Sequence, residues 1–256
     1  MAGANAKASE RFNGRVGDYV KARPGYPPEL LRFLTERGAL FPGALIVDVG
    51  SGTGLFTELL LSAEVAVFAV EPNDEMRSAA EARFGERPGF RSVSGRAEAT
   101  GLADRCGDLL VAAQAFHWFD PAAARREFRR ILRPPHRVAL IWNSRRAAGT
   151  PFLEGYERLL LEFGTDYLQV GHRGVGPERM AAFFGGPYET FRVENRQLFD
   201  RDGVRARLLS SSYIPAAGTA RHREMLAALD RLCAATAEEG QLQMIYDTEL
   251  FLGSLP

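Results

Sequence analysis

In Leu45-Ile46-Val47-Asp48-Val49-Gly50-Ser51-Gly52-Thr53-Gly54, four apolar residues around one aspartate run straight into three glycines within five positions. A run this short and apolar reads as a buried strand. The bend after it needs glycine, because a side chain would block both the turn and the close approach of a ligand. An amphipathic stretch follows at once and predicts a helix over Thr53–Ala63.

Further out, the same alternation repeats. Apolar runs at Val65–Val70, Phe90–Val93, Asp108–Ala113 and Arg137–Trp142 read as strands, with helices over Asn73–Phe84 and Pro121–Leu132. Near-continuous apolar strands separated by helices indicate a parallel sheet covered on both faces. Asn73 can cap its helix, with Asp74 and Glu75 in the first turn, where the helix dipole favours negative charge. Asp120-Pro121 pairs an N-cap residue with proline at the first helical position, so Asp120 is read as a cap and not as a catalytic acid.

Beyond this block the spacing predicts helices over Ser9–Ala22, Glu29–Arg37, Phe152–Phe163 and Thr219–Ala237, and strands over Thr190–Leu198 and Leu242–Leu252. Gly164 to Gly176 is glycine-rich. The expected organisation is one domain over 1–256. Residues 1–40 supply N-terminal lid helices, and 143–188 form an insertion that caps the substrate pocket.

Composition narrows the class. The chain has 256 residues, 46% apolar and 25% charged, which suits a soluble domain with a sizeable core. Its 32 basic and 32 acidic residues cancel, so general attraction to nucleic-acid phosphates is not favoured and no nucleic-acid partner is expected. No apolar stretch is long enough to span a bilayer, and the first residues carry no apolar signal core. Cys106 and Cys233 lie far apart without metal-ligand spacing, as in a reduced cytoplasmic protein. His136, His172 and His222 show no metal spacing either.

The glycine turn acquires meaning from its partners. Glu71 ends the second strand, 17 residues after Gly54, where an acidic side chain can accept from both hydroxyls of a ribose. Leu55 occupies the position of the third glycine in a dinucleotide fingerprint, and there is no lysine-containing phosphate loop. Asp48 would repel a pyrophosphate and suits a cation. A positively charged nucleoside fits these residues better than a phosphorylated one.

With those residues in view, the chain resembles the class I S-adenosylmethionine (SAM)-dependent methyltransferases. Asp48–Gly54 looks like their first motif and Val70-Glu71-Pro72-Asn73-Asp74-Glu75-Met76 their second. Gly95-Arg96-Ala97-Glu98-Ala99-Thr100-Gly101-Leu102 is similar to the loop beside the adenine. Asp108–Asp120, with Gln114-Ala115-Phe116-His117-Trp118-Phe119, resembles the fourth motif of the type 11 subgroup, which has small-molecule acceptors. Tyr19…Arg23-Pro24-Gly25-Tyr26-Pro27 also looks like that subgroup. The likeness covers roughly residues 10–145. Arg133-Pro134-Pro135-His136-Arg137 departs from it, since the family usually has a proline-glycine turn there.

The resemblance implies a Rossmann-like, doubly wound sheet, mostly parallel with an antiparallel last strand and helices on both faces. It implies SAM as cofactor, held by Tyr19, Arg23, Asp48, Gly50, Ser51, Gly52, Gly54, Glu71, Pro72, Met76, Ala97, Glu98, Gln114, Ala115 and Phe116. Asp48 has two roles open to it: orienting the amides of the turn, or meeting the methionine ammonium. Glu98 is expected at the adenine's exocyclic amine, the alternative being an ordinary surface acid. Tyr19, Arg23 and Tyr26 are expected to form a lid, unless the N-terminal helix simply docks on the sheet. Arg23 pairs there with the cofactor carboxylate or with an acidic acceptor.

His117, at the mouth of the fourth strand, is the candidate general base; its alternative is a histidine that shapes the pocket. Tyr26, Trp118, Trp142, Tyr156 and Tyr213 are candidate walls for the acceptor, although aromatics so placed are more often core. The expected activity is in-line methyl transfer to a small molecule. The competing reading is a SAM-binding protein of the same fold that catalyses a rearrangement or acts as a binding module. Acceptor identity and oligomeric state are not legible.

Overall fold

The computed structural model describes residues 23–170, 176–211 and 213–256, with 169 and 170 as backbone only. The helix expected over 9–22, Tyr19 and His172 lie outside the described residues.

The strands are β1 (Leu45–Val49), β2 (Ala66–Val70), β3 (Phe90–Val93), β4 (Gly107–Ala113), β5 (Leu132–Arg145), β6 (Tyr188–Phe199) and β7 (Leu242–Ser254). The helices are α1 (Glu29–Glu36), α2 (Leu55–Leu61), α3 (Asp74–Phe84), α4 (Pro121–Ile131), α5 (Pro151–Phe163), α6 (Tyr167–Val170), α7 (Pro177–Phe184), α8 (Arg201–Leu209) and α9 (Ala220–Thr236). One sheet runs in the order β3-β2-β1-β4-β5-β7-β6 among the described residues. β1 to β5 are parallel, and β7 inserts antiparallel between β5 and β6. The order reverses between β1 and β4, and open sheets of this kind bind ligands beyond the carboxyl ends of the strands at such a switch point.

Strand alternation builds two cores. Val47, Leu110, Ala112, Val138 and Leu140 face one side, where Phe128 and Ile131 of α4 and Met180, Phe183 and Phe184 of α7 cover them. Ile46, Leu109, Val111, Ala139 and Ile141 face the other, under Leu30 and Leu34 of α1 and Phe56 and Leu60 of α2. Each valine, leucine, isoleucine, phenylalanine or methionine so buried contributes about 1.5–3 kcal/mol of apolar transfer. The two expected caps are present: Asn73 Oδ1 accepts from Met76 N–H at 2.9 Å, and Asp120 Oδ1 accepts from Ala122 and Ala123 N–H.

A third core lies beyond the carboxyl end of β5. Phe152, Tyr156 and Leu160 of α5, Val204 and Leu208 of α8 and Met225 and Leu229 of α9 pack there with Phe199, Met244 and Tyr246. The 143–188 segment is therefore divided. Its α5 joins this third core, whereas its α7 covers the main sheet. The departing residues 133–136 fall at the opposite end of β5, exposed or half-buried and remote from the switch point.

Candidate active site

The loops at the carboxyl ends of the strands are tied to one another by the sheet's own register. Gly50 and Ser51 N–H donate to Val70 carbonyl at 2.9 and 3.2 Å, Glu71 N–H to Val93 and Gln114 N–H to Ile141. Above them opens a cavity of about 900 Å³. It extends from Glu71 and Glu98 over β1 and β2, past Gln114 and His117, to Arg207, Tyr213 and Tyr246 under the third core.

At the first end the glycines act separately. Gly50, at φ 70°, sits so close to the loop after β4 that a Cβ would lie 2.5 Å from Ala115 Cβ. Gly52, at φ 57°, has an open face: among the described residues, only Met76 Sδ comes near a Cβ's place, at 3.8 Å. That is the room a ligand needs. Gly54 does not line the cavity, contrary to expectation: a Cβ there would strike the Phe84 ring at 2.6 Å, so its lack of a side chain serves helix packing.

Two buried carboxylates face this space. Asp48 is 1% exposed; its Oδ2 accepts from the Thr57 hydroxyl at 2.6 Å, and Oδ1 has no hydrogen-bond partner among the described residues. Burial pushes its pKa up to about 7, against the pull of the Thr57 bond and with added repulsion from Glu71. Glu71 holds the loops, with Oε2 accepting from Gly52 N–H at 2.9 Å and Oε1 from Asn73 N–H at 2.8 Å. Its pKa is raised by burial, which outweighs those two bonds and nearby Arg77. Orientation of the turn's amides thus falls to Glu71, and Asp48 is left pointing an unsatisfied oxygen at the cavity.

Ser51, Pro72, Met76, Ala97, Glu98, Gln114 and Ala115 also line the cavity. Glu98 already accepts the Asp120 N–H at 2.9 Å, which couples its loop to the start of α4. Gln114 has φ 56°, a strained value for a side-chain-bearing residue. Its Nε2 donates to Asn143 carbonyl at 2.8 Å, and its Oε1 is unpartnered among the described residues. His117 and Trp118 follow on a single 3₁₀ turn, Phe116–Trp118, with ring centroids 4.6 Å apart, and both line the cavity.

Three other expected residues do not line it. Phe116 is fully buried under the sheet, 4.6 Å from the Phe183 ring. Trp142 alternates to the same core and meets Phe116 and Phe251 edge-on. Tyr156 faces into the third core. In each case strand or helix periodicity directs the side chain away from the cavity. Arg23, Tyr26 and Tyr213 do line it. Asn143 and Asn195 donate to Gly25 carbonyl at 3.1 and 2.8 Å, and Arg23 reaches Ser210 carbonyl at 3.4 Å.

The far end holds residues that sequence reading missed: Asn143, Arg145, Glu157, Tyr167, Arg207 and Tyr246. The strand expected to stop at Trp142 continues to Arg145, and these last residues project beyond the sheet. Arg145 pairs with Glu157 at 2.5 Å, and Tyr167 hydroxyl donates to the same carboxylate at 2.6 Å. Among the described residues no group of histidine, cysteine or acidic side chains could hold a metal, and no helix is long and apolar enough to cross a membrane.

Comparison with known proteins agrees with this geometry. A family profile of methyltransferase domains matches residues 47–140. An uncharacterized methyltransferase of Mycobacterium tuberculosis is 39% identical over 134 residues, 52% of each chain. The chain thus spans about half the length of the mycobacterial relatives it matches. An uncharacterized methyltransferase-like protein of Schizosaccharomyces pombe is 32% identical over 183 residues, 67% of this chain and 70% of the relative. A solved structure assigned as a type II methyltransferase of Anaeromyxobacter dehalogenans superimposes with TM-score 0.65 at 25% identity, covering 91% of this chain and 99% of the other.

The family's cofactor fits the residues present. An unsatisfied buried Asp48 oxygen suits its positive charge, the open face of Gly52 leaves room for it, and Glu71 retains lone pairs for a ribose. The chain belongs to the class I SAM-dependent methyltransferases of the type 11 kind.

Proposed function

We propose that this chain catalyses methyl transfer from SAM to a small-molecule acceptor. The observation that carries the reading is the continuity of the cavity. One space joins a carboxylate-bearing end over the switch point to an aromatic end under the third core. Its volume lies in the usual range for small-molecule sites, roughly 300–1,000 Å³. When bound, SAM supplies a methyl group on a sulfonium that leaves as a neutral thioether.

This chain's residues supply position and exclusion of water. Glu71 holds the ribose hydroxyls, and Asp48 in its ionised form faces the positive charge. Glu98 and Ala97 border the base. Residues 23–26, tethered by Asn143 and Asn195, form the described part of a lid, and α5 with α6 closes the acceptor side. Aligning the acceptor for in-line attack in such a space is worth on the order of 7–11 kcal/mol. His117 removes the proton of a hydroxyl or amine acceptor as it attacks.

The neutral charge balance favours a small acceptor over a nucleic acid, and the two free thiols suit the reducing cytoplasm. The test is mass spectrometry of the purified protein with methyl-labelled SAM and a metabolite extract. A product heavier by one labelled methyl supports the proposal. Consumption of SAM without any methylated product would point to the rearrangement chemistry instead.

A further inference from the structure

The far end of the cavity contains a cation, Arg207, that makes no ion pair among the described residues. Arg207 of α8 is only 7% exposed and lines the cavity. Its Nη1 donates to Ser211 Oγ at 3.3 Å, and its Nε has no hydrogen-bond partner among the described residues. Two other carboxylates of the cavity wall are already engaged: Glu157 by Arg145 at 2.5 Å, and Glu249 by Arg192 at 2.5 Å. Around Arg207 stand the phenols of Tyr246, which shares a hydrogen bond with it, and of Tyr156 and Tyr213; the Tyr156 hydroxyl is itself unpartnered among the described residues.

Arginine does not discharge to relieve such burial. An uncompensated buried charge is destabilising, and a guanidinium edge with a free Nε matches the two oxygens of a carboxylate. The ends of the cavity are thus oppositely prepared: Asp48, Glu71 and Glu98 at one, with Arg96 on the rim, and Arg207 at the other, with Arg145 neutralised and Arg23 at the α8 terminus.

We propose that Arg207 binds a carboxylate of the methyl acceptor, and that the acceptors are small organic acids with an aromatic body. Tyr213 and Tyr246 provide flat walls for that body, and the Tyr213 hydroxyl can donate to the acid. That the bound acid is methylated rests on the function proposed above; the anion site itself does not.

The test is titration calorimetry of benzoate and trans-cinnamate, each against its neutral amide, into the full chain saturated with S-adenosylhomocysteine. Charge-assisted hydrogen bonds predict that the acids bind roughly 10–100-fold more tightly than the amides. R207Q should abolish that preference and R207K should retain it in part, while both bind S-adenosylhomocysteine as the wild type does. The proposal is overturned if acid and amide bind alike, if neither acid binds, or if R207Q keeps the preference. Should R207Q fail to fold by circular dichroism, the wild-type contrast and R207K decide. If S-adenosylhomocysteine itself does not bind, the cofactor assignment fails, and the same acids titrated into the unliganded protein still test Arg207.

Discussion

The two ends of the cavity are built by different means. The cofactor end consists of loops clamped by sheet register, and its key groups lie within a few residues of strand ends: Asp48, Gly52, Glu71 and Gln114. The acceptor end is assembled from side chains far apart in the chain, Arg145, Glu157, Arg207 and Tyr246, brought together by a separate apolar core. A sheet edge offers one geometry that many chains share, whereas a helical cap can be repacked without disturbing the sheet. In the proposed function the first end sets the cofactor and the second selects what is methylated.

The comparison is most sharply tested where the ends meet. His117→Ala should lower kcat by roughly 10²–10⁴-fold while SAM affinity in calorimetry stays at the wild-type level. Unchanged turnover would leave His117 a wall and nothing more.

A change confined to the cap should act on stability and leave the cofactor end alone. Arg145 and Glu157 side chains are only 11% and 12% exposed, so Glu157→Gln strands a buried guanidinium. The expected loss is about 3–5 kcal/mol, read by denaturant unfolding. Ligand-free protein that survives in the native state should still bind S-adenosylhomocysteine normally. Equal damage to cofactor affinity would show that the two ends are not independent.

The reciprocal change is Glu71→Ala, which removes a charged acceptor for the ribose and two backbone ties. SAM binding should weaken roughly 10–100-fold. The cap should remain intact, as judged by an unaltered fluorescence signature of its tyrosines.

A smaller effect follows from Asp48, whose pKa in the fold is about 7 against an ordinary 3.8. Between those values the unfolded chain is ionised while the folded one keeps its proton, so stability declines as pH rises from about 4 to 7 and levels off above. Cofactor binding has the opposite slope, because the carboxylate form faces the cation. SAM affinity should therefore rise with pH up to about 7, by at most about tenfold per unit, with proton release on binding. Asp48→Asn should flatten both profiles. A wild-type affinity that is level between pH 5.5 and 7.5 would remove Asp48 from the cofactor's charge environment.

What the sequence made legible follows the same division. The strands β1 to β4 are short apolar runs bounded by glycine or a cap, and their limits come out within a residue of expectation. Glu71 and Gly52 were readable as cavity-lining residues because glycine spacing fixes where the first turn meets the end of the second strand. Phe116, Trp142 and Tyr156 misled because motif position or aromatic character does not report which way a side chain faces; the two-residue period of β5 sends Trp142 under the sheet. α7 and α8 were not foreseen, since α8 carries a glycine and few apolar residues, although Asp200 capping Gly203 N–H at 2.7 Å was a usable signal. Arg207 had no local signature at all. Its significance comes from what surrounds it in space.

Calorimetric titration of SAM, and separately of NAD, into the wild-type chain at pH 7.5 tests the central assignment most directly. One SAM bound per chain, with no heat from NAD, is the predicted result. No uptake of SAM, or NAD bound as well as SAM, would contradict it.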